Sequence, residues 1–331
     1  MNSRDSIEDR PTFVREYLHL CRDMSAGRVP ERYVVFCERD PTGWGNKLRG
    51  INSAFLLALL TRRVLLFDYP LVERHFLPPP GTEWTLASAR TSIRRAKRDE
   101  VEEILGLDDP VALASADLAE SLYQPFIFYG RGESLDRALS ANPHHQADLA
   151  RLYDGHVSRL ERVGMTMRFL LGRPSPLLQA EAAKLTRRIN FDHGEPRVAV
   201  QFRSFFDIGS PYVQFYDDFV SRVQLLLARY LQNKGAHGCA MFVTTDRSDL
   251  TRRLANSLRD FGRPVFNDAL VHHTGTVRRL VLRQLLVKLQ HRLSPALLDW
   301  YLIGECDALI STMTTYAIFA AARTGNRMQM Y

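Results

Sequence analysis

The chain has 331 residues, 45% hydrophobic and 24% charged, a balance that excludes a disordered or fibrous protein and leaves an ordinary globular one. At roughly 100–200 residues per domain, the length favours two domains, each able to bury a core of normal size. The net charge of +7 is spread along the chain and suits an anionic ligand, nucleotide diphosphate or nucleic acid, without selecting one.

The first thirty residues are polar and charged, with no apolar h-region, and no run of about 18 apolar residues follows. The expectation is a soluble, cytoplasmic chain without a membrane span; the resemblance described below also allows the Golgi lumen if an anchor was removed. "YVVFC" (33–37) reads as a buried strand. The loop 38–45 ends in Gly43-Trp44-Gly45, Asn46 is suited to cap a helix over 47–61, and "RVLLFD" follows as a second strand. Leu48, Ile51, Phe55, Ala58 and Leu59 recur at helical spacing, so this β-α-β unit predicts a parallel sheet. Gly43 and Gly45 permit close backbone approach, and a helix N-terminus offers free N–H groups to an anion. A tight connection with no ligand explains the same residues. Leu48 stands where the dinucleotide fingerprint needs its third glycine, so this is not the standard loop.

"PPPG" (78–81) breaks the chain. The basic patch 90–100 reads as a solvated helix face or an anion site. Residues 130–150, with His144 and His145, read as polar loop or short helices. An amphipathic helix is expected over 174–189, and the connector 190–196 is taken as the boundary between domains 1–190 and 191–331. The second half then alternates strand and helix: strands at 197–203, 239–245, 264–267 and 307–312, helices at 213–232, 247–259, 276–292, 295–304 and 314–323, and a final strand or tail at 327–331. That is a doubly wound α/β domain, whose ligands bind beyond the carboxyl ends of the strands. Arg203, Asp246 and the polar cluster 311–315 fall there. Cys37, Cys239 and Cys306 lie in or beside apolar runs and read as buried free thiols, and none of the four cysteines is paired at metal-ligand spacing.

The stretch "GWGNKLRGINSAFLLALLTRRVLLFDYP" resembles the N-terminal motif of the xyloglucan α1,2-fucosyltransferase family, and "FLPPPGTEWTL" is similar to its proline-rich segment. "RVAVQFRSF", "FVTTDRSDL" and "LLDWYLIGECDALISTMTTYAIFAAARTG" are similar to donor-binding parts of the same superfamily, which includes the α1,6-fucosyltransferases. The likeness covers about residues 33–84 and 174–326. It implies a GT-B glycosyltransferase, two Rossmann-like α/β domains with parallel sheets facing a cleft, that inverts the anomeric centre, needs no metal or other cofactor, and moves L-fucose from GDP-fucose to a glycan or glycoconjugate hydroxyl. The absence of an Asp-x-Asp pair in the sequence is compatible with metal independence.

The resemblance makes Arg203 the donor-binding arginine, able to grip phosphate oxygens in bidentate fashion, where the alternative is a surface arginine ending a strand. Gln201 stands where the α1,6 enzymes carry histidine and can still offer an amide to the nucleotide. Asp299 matches the acidic residue those enzymes turn toward guanine; its alternative is a solvated helix charge. Thr312, Thr314 and Thr315 can bind the β-phosphate with their hydroxyls and the helix amides, or simply cap that helix. Gly43, Gly45 and Asn46 complete the expected donor-contacting set. Pro211 replaces the glutamate base of the α1,6 enzymes, leaving Asp207 as the nearest candidate base, otherwise a loop aspartate. Asp246 orients the adjacent loop or caps the helix after it. His272 and His273 read as surface residues or part of a donor cover. Gln201 also permits another nucleotide sugar, and Pro211 permits a binding protein without turnover. No aromatic-interleaved basic stripe supports a nucleic-acid partner.

Overall fold

A computed structural model describes residues 10–37, 43–86, 101–104, 114–130, 135–155, 157–189, 194–204, 215–267, 295–312, 314–324 and 329–330. Residues 38–42, the basic patch 90–100, Asp207, Pro211, His272, His273 and the expected helix 276–292 lie outside them. The chain divides into two compact units, Met1–Thr42 with Asn46–Arg173, and Gly43–Gly45 with Pro174–Tyr331.

The first unit carries α1 (Thr12–Ser25), β1 (Tyr33–Cys37), α2 (Trp44–Leu60, its first two residues counted with the second unit), β2 (Val64–Asp68), α3 (Pro70–His75), β3 (Val101–Ile104), α4 (Leu118–Ser121), β4 (Phe126–Tyr129), α5 (Asp136–Ala141), α6 (Gln146–Leu152) and α7 (Arg159–Leu171). Its four strands are parallel in the order β2-β1-β4-β3, with Tyr33 opposite both Val64 and Phe126. The β-α-β reading of 33–68 holds. Helix α2 starts at Trp44, however, so Asn46 is not its cap; its Oδ1 accepts from Arg49 Nη2 at 2.5 Å within the first turn. The helix is also buried nearly all round over Asn52–Thr61 rather than along one stripe, as befits a helix enclosed by neighbours. Phe13 and Tyr17 of α1 and Phe169 of α7 pack around Phe55, with Tyr17 edge-on at 5.1 Å. Fully buried Arg63 donates to the carbonyls of Thr61, Leu122 and Gln124, tying the start of β2 to the approach to β4. Burial, then the charge of Arg32, lowers its pKa to about 9.

The second unit carries α8 (Pro176–Ile189), β5 (Arg197–Phe202), α9 (Tyr216–Lys234), β6 (Cys239–Thr245), α10 (Ser248–Ser257), β7 (Gly262–Val265), α11 (Pro295–Ile303), β8 (Ala308–Ser311), α12 (Thr315–Arg323) and β9 (Gln329–Met330). Five parallel strands lie in the order β7-β6-β5-β8-β9. Counted within the unit, that is the 3-2-1-4-5 order of a doubly wound sheet. Side chains alternate along each strand. Val198, Val200, Phe202, Met241 and Val243 turn one way, joining Val223, Leu227, Leu250 and Leu254 of α9 and α10 in a dry core. Helices α8 and α11 lie against β6, and α8 also packs on β7 and α11. That packing moves the division between units to Arg173/Pro174, ahead of the 190–196 connector expected from sequence.

All four cysteines are buried free thiols, and burial pushes Cys21 and Cys239 up to about 12. Among the described residues no helix is long and apolar enough to cross a membrane.

Candidate active site

In the second unit the sheet reverses its winding between β5 and β8, and the crevice of such a fold opens at the carboxyl ends of those two strands. Arg203 and Thr312 are the residues next after them. The Arg203 backbone N–H donates to Thr312 Oγ1 at 3.1 Å, and the Thr312 N–H donates to the Gln201 carbonyl at 3.2 Å. The parallel ladder is thus extended beyond the strands, and the Arg203 backbone and the Thr312 hydroxyl are fixed at the switch point.

Asp246 follows β6, the neighbour on the other side of β5. Its carboxylate accepts from the Ser204 backbone N–H and hydroxyl, both at 2.9 Å, and lies 3.4 Å from Arg203 Nε. Asp246 is 7% exposed and Arg203 20%. This overturns a capping role for Asp246: α10 has Arg247 at its N-cap with no side-chain cap bond, and the aspartate instead holds the turn leaving β5. The guanidinium is braced through its Nε, and the side chain keeps a fifth of its surface in solvent.

Thr314 caps α12, its Oγ1 accepting from the Ala317 N–H at 3.2 Å and donating to Gln201 Oε1 at 3.4 Å. Thr315 is the first residue of the helix. The expected set Gln201, Arg203, Thr312, Thr314 and Thr315 is therefore brought together around a helix N-terminus, an arrangement of one guanidinium, hydroxyls and amides suited to an anion. Gln201 is buried.

Asp299 stands apart from that cluster, at the carboxyl ends of β6 and β7. It accepts from Thr244 Oγ1 at 2.6 Å and from Asn267 Nδ2 at 3.2 Å. At 3% exposure it is not the solvated helix charge that sequence allowed; α11 turns it inward. Burial pushes its carboxyl up to about 6, against the two hydrogen bonds, which lower it. A pKa raised on folding contributes stability at low pH that is lost as pH rises through about 6, so at neutral pH the ionised carboxylate is held at a cost to the fold. Such a cost is characteristic of functional sites.

Gly43–Gly45 belongs to the same unit. A Cβ on Gly45 would lie 3.1 Å from the Tyr316 backbone nitrogen and 3.2 Å from its Cβ, and Trp44 meets Trp300 edge-on at 5.9 Å. The close approach that the glycine permits is thus to the first turn of α12. The His145 ring accepts the Leu118 N–H at 3.1 Å through Nε2, and burial lowers its pKa, so it serves the local fold.

Ser204, Thr244, Asn267 and Tyr316 are the members that sequence reading missed. Three polar residues at the end of the otherwise apolar run "CAMFVTTD" were a signal for Thr244. Nothing local marks Asn267, whose partner is 32 residues away. Among the described residues no group of three His, Cys, Asp or Glu is placed to hold a metal ion.

No family model matches the chain, and no curated protein sequence matches it. Solved structures do. An arginine-to-lysine variant of Arabidopsis thaliana FUT1 in complex with GDP superposes with a TM-score of 0.67 at 15% identity, covering 97% of this chain and 78% of that one. The chain has the fold of fucosyltransferases. POFUT1 in complex with GDP agrees, with a TM-score of 0.52 at 11% identity over 91% of this chain and 98% of that one. Both units are α/β units with parallel sheets, which fit the two Rossmann-like domains of this fold.

Proposed function

We propose that the protein is an inverting, metal-independent fucosyltransferase that moves L-fucose from GDP-fucose to a hydroxyl of a glycan or glycoconjugate. The observation that carries this reading is the braced Arg203 beside Thr312 and the α12 N-terminus, at the switch point of a fold shared with a GDP-bound relative. As the bond between fucose and diphosphate breaks, charge builds on the departing GDP. A guanidinium and helix amides fixed beforehand stabilise that charge without reorganising. The β-phosphate would take Arg203 and the Thr312–Thr315 turn, and the guanine would reach toward Asp299. Asp207 is the nearest carboxylate in sequence to accept the acceptor's hydroxyl proton.

The test is turnover of GDP-fucose across an acceptor array, with Arg203→Ala as the control and EDTA present in a parallel arm. The expected outcome is transfer by the native protein, unchanged by EDTA. The variant should stay folded and bind GDP roughly 10- to 100-fold more weakly, as losing charge-assisted hydrogen bonds of about 1.5–3 kcal/mol implies. Wild-type activity in Arg203→Ala would remove the site. Tight GDP binding with no turnover on any acceptor would favour a binding protein, and a preference for UDP another nucleotide sugar.

A further inference from the structure

The second polar cluster has features that the phosphate site does not explain. Two side chains, Thr244 from β6 and Asn267 just beyond β7, converge on the Asp299 carboxylate that α11 supplies. Both donors are neutral. Among the described residues no cation pairs with Asp299. Tyr316, from α12, is half-buried, with its phenol turned inward beside Asp299; the phenol donates to the Ala296 carbonyl at 2.6 Å, and burial of that group followed by the Asp299 charge raises its pKa. The charged pair Arg323 and Glu305 is bonded to itself at the far end of α11. A buried carboxylate given two neutral donors and no counter-charge is only half compensated as an anion, and a carboxylate has further lone pairs to offer.

Its position supplies the second half of the argument. Thr244 lies opposite Gln201 in the β5–β6 register, so Asp299 sits at the same end of the sheet as Arg203. Strands are spaced about 4.8 Å apart. A ligand with its diphosphate between β8 and β5 and its base over β6 and β7 would span one to three strands, within the reach of an extended nucleoside diphosphate.

We infer that Thr244 and Asn267 are positioning residues for Asp299, and that docking of a base edge rich in N–H donors is coupled to loss of a proton from this carboxyl. The inference rests on the GDP reading above and extends it. Before binding, near pH 6, the carboxyl is partly protonated. As the base docks, the O–H bond of Asp299 breaks, the proton passes to the buffer, and the carboxylate accepts the ring and amino N–H groups of the base. A base that offers acceptors at that edge gains nothing from the ionised form.

Calorimetric titration of the full chain with GDP and with ADP, at pH 5 to 7.5 and in buffers of different ionisation enthalpy, tests this. For the native protein, GDP affinity should rise about tenfold between pH 5 and pH 7, with proton release greatest near pH 6, beyond what ADP shows. The titration of the phosphates is common to both nucleotides. Asp299→Asn should abolish the extra release and flatten the GDP profile toward that of ADP. Thr244→Val, which removes a donor at nearly constant shape, should move the midpoint upward by about one pH unit. Equal proton release in native and Asp299→Asn proteins would overturn the inference, and so would an unmoved midpoint in Thr244→Val if the asparagine variant fails to fold. Absence of GDP binding at every pH would overturn the functional reading and this inference with it. GDP binding without linkage would overturn this inference alone.

Discussion

Arg203 is held in place by Asp246. A lone arginine at a strand end explores many rotamers; one whose Nε sits 3.4 Å from a nearly buried carboxylate is held in few. The same carboxylate also satisfies the Ser204 N–H and hydroxyl, so one aspartate fixes both the turn and the guanidinium. Asp246→Ala leaves those buried donors unmatched. It should cost about 1–3 kcal/mol of stability and weaken GDP binding together with it. Urea unfolding and a GDP titration on the same sample check this, and a variant with native stability and affinity would show that the brace is idle. The place of Arg203 at the end of β5 was legible from sequence because "RVAVQFR" reads as an apolar strand that ends in an arginine. Its brace was legible only as a choice of roles for Asp246, because the deciding contact spans 42 residues.

The elements that sequence revealed are the ones buried on both faces. "YVVFC", "VLLFD" and "CAMFVTT" are continuous apolar runs, as central parallel strands require. Strand β3, "VEEI", carries two glutamates at the edge of its sheet and shows no such run, and β4, "FIFY", is four residues long after a proline; both went unread. Helix α7 also went unread, although Ser158 and Glu161 form a capping box at its start. The β1–α2 loop was read correctly as a place of close backbone approach, but not what approaches it. With Tyr316 at 3.1–3.3 Å from a Cβ on Gly45, substitution by alanine must displace the first turn of α12. Gly45→Ala should therefore destabilise the protein by about 1–3 kcal/mol and disturb the Thr314 cap. The check is a lower midpoint in thermal unfolding with weaker GDP binding; an unchanged midpoint would mean the turn yields freely.

At the scale of the whole molecule, two α/β units with parallel sheets were expected, and two are present. The boundary moved because α8 is amphipathic and its apolar face fits α11 and the β6–β7 edge, a preference that its own sequence does not express. The fold is shared with FUT1 over 97% of the chain at only 15% identity. Parallel sheets need only apolar strands and right-handed crossovers, which many sequences supply. Chemistry, in contrast, depends on a few side chains at strand ends, and those must be tested directly. The most direct measurement is a crystal structure of the protein with GDP. The diphosphate should lie against Arg203 and the Thr312–Thr315 turn, with the base over the ends of β6 and β7. A nucleotide seated away from the carboxyl ends of β5 and β8 would contradict the account.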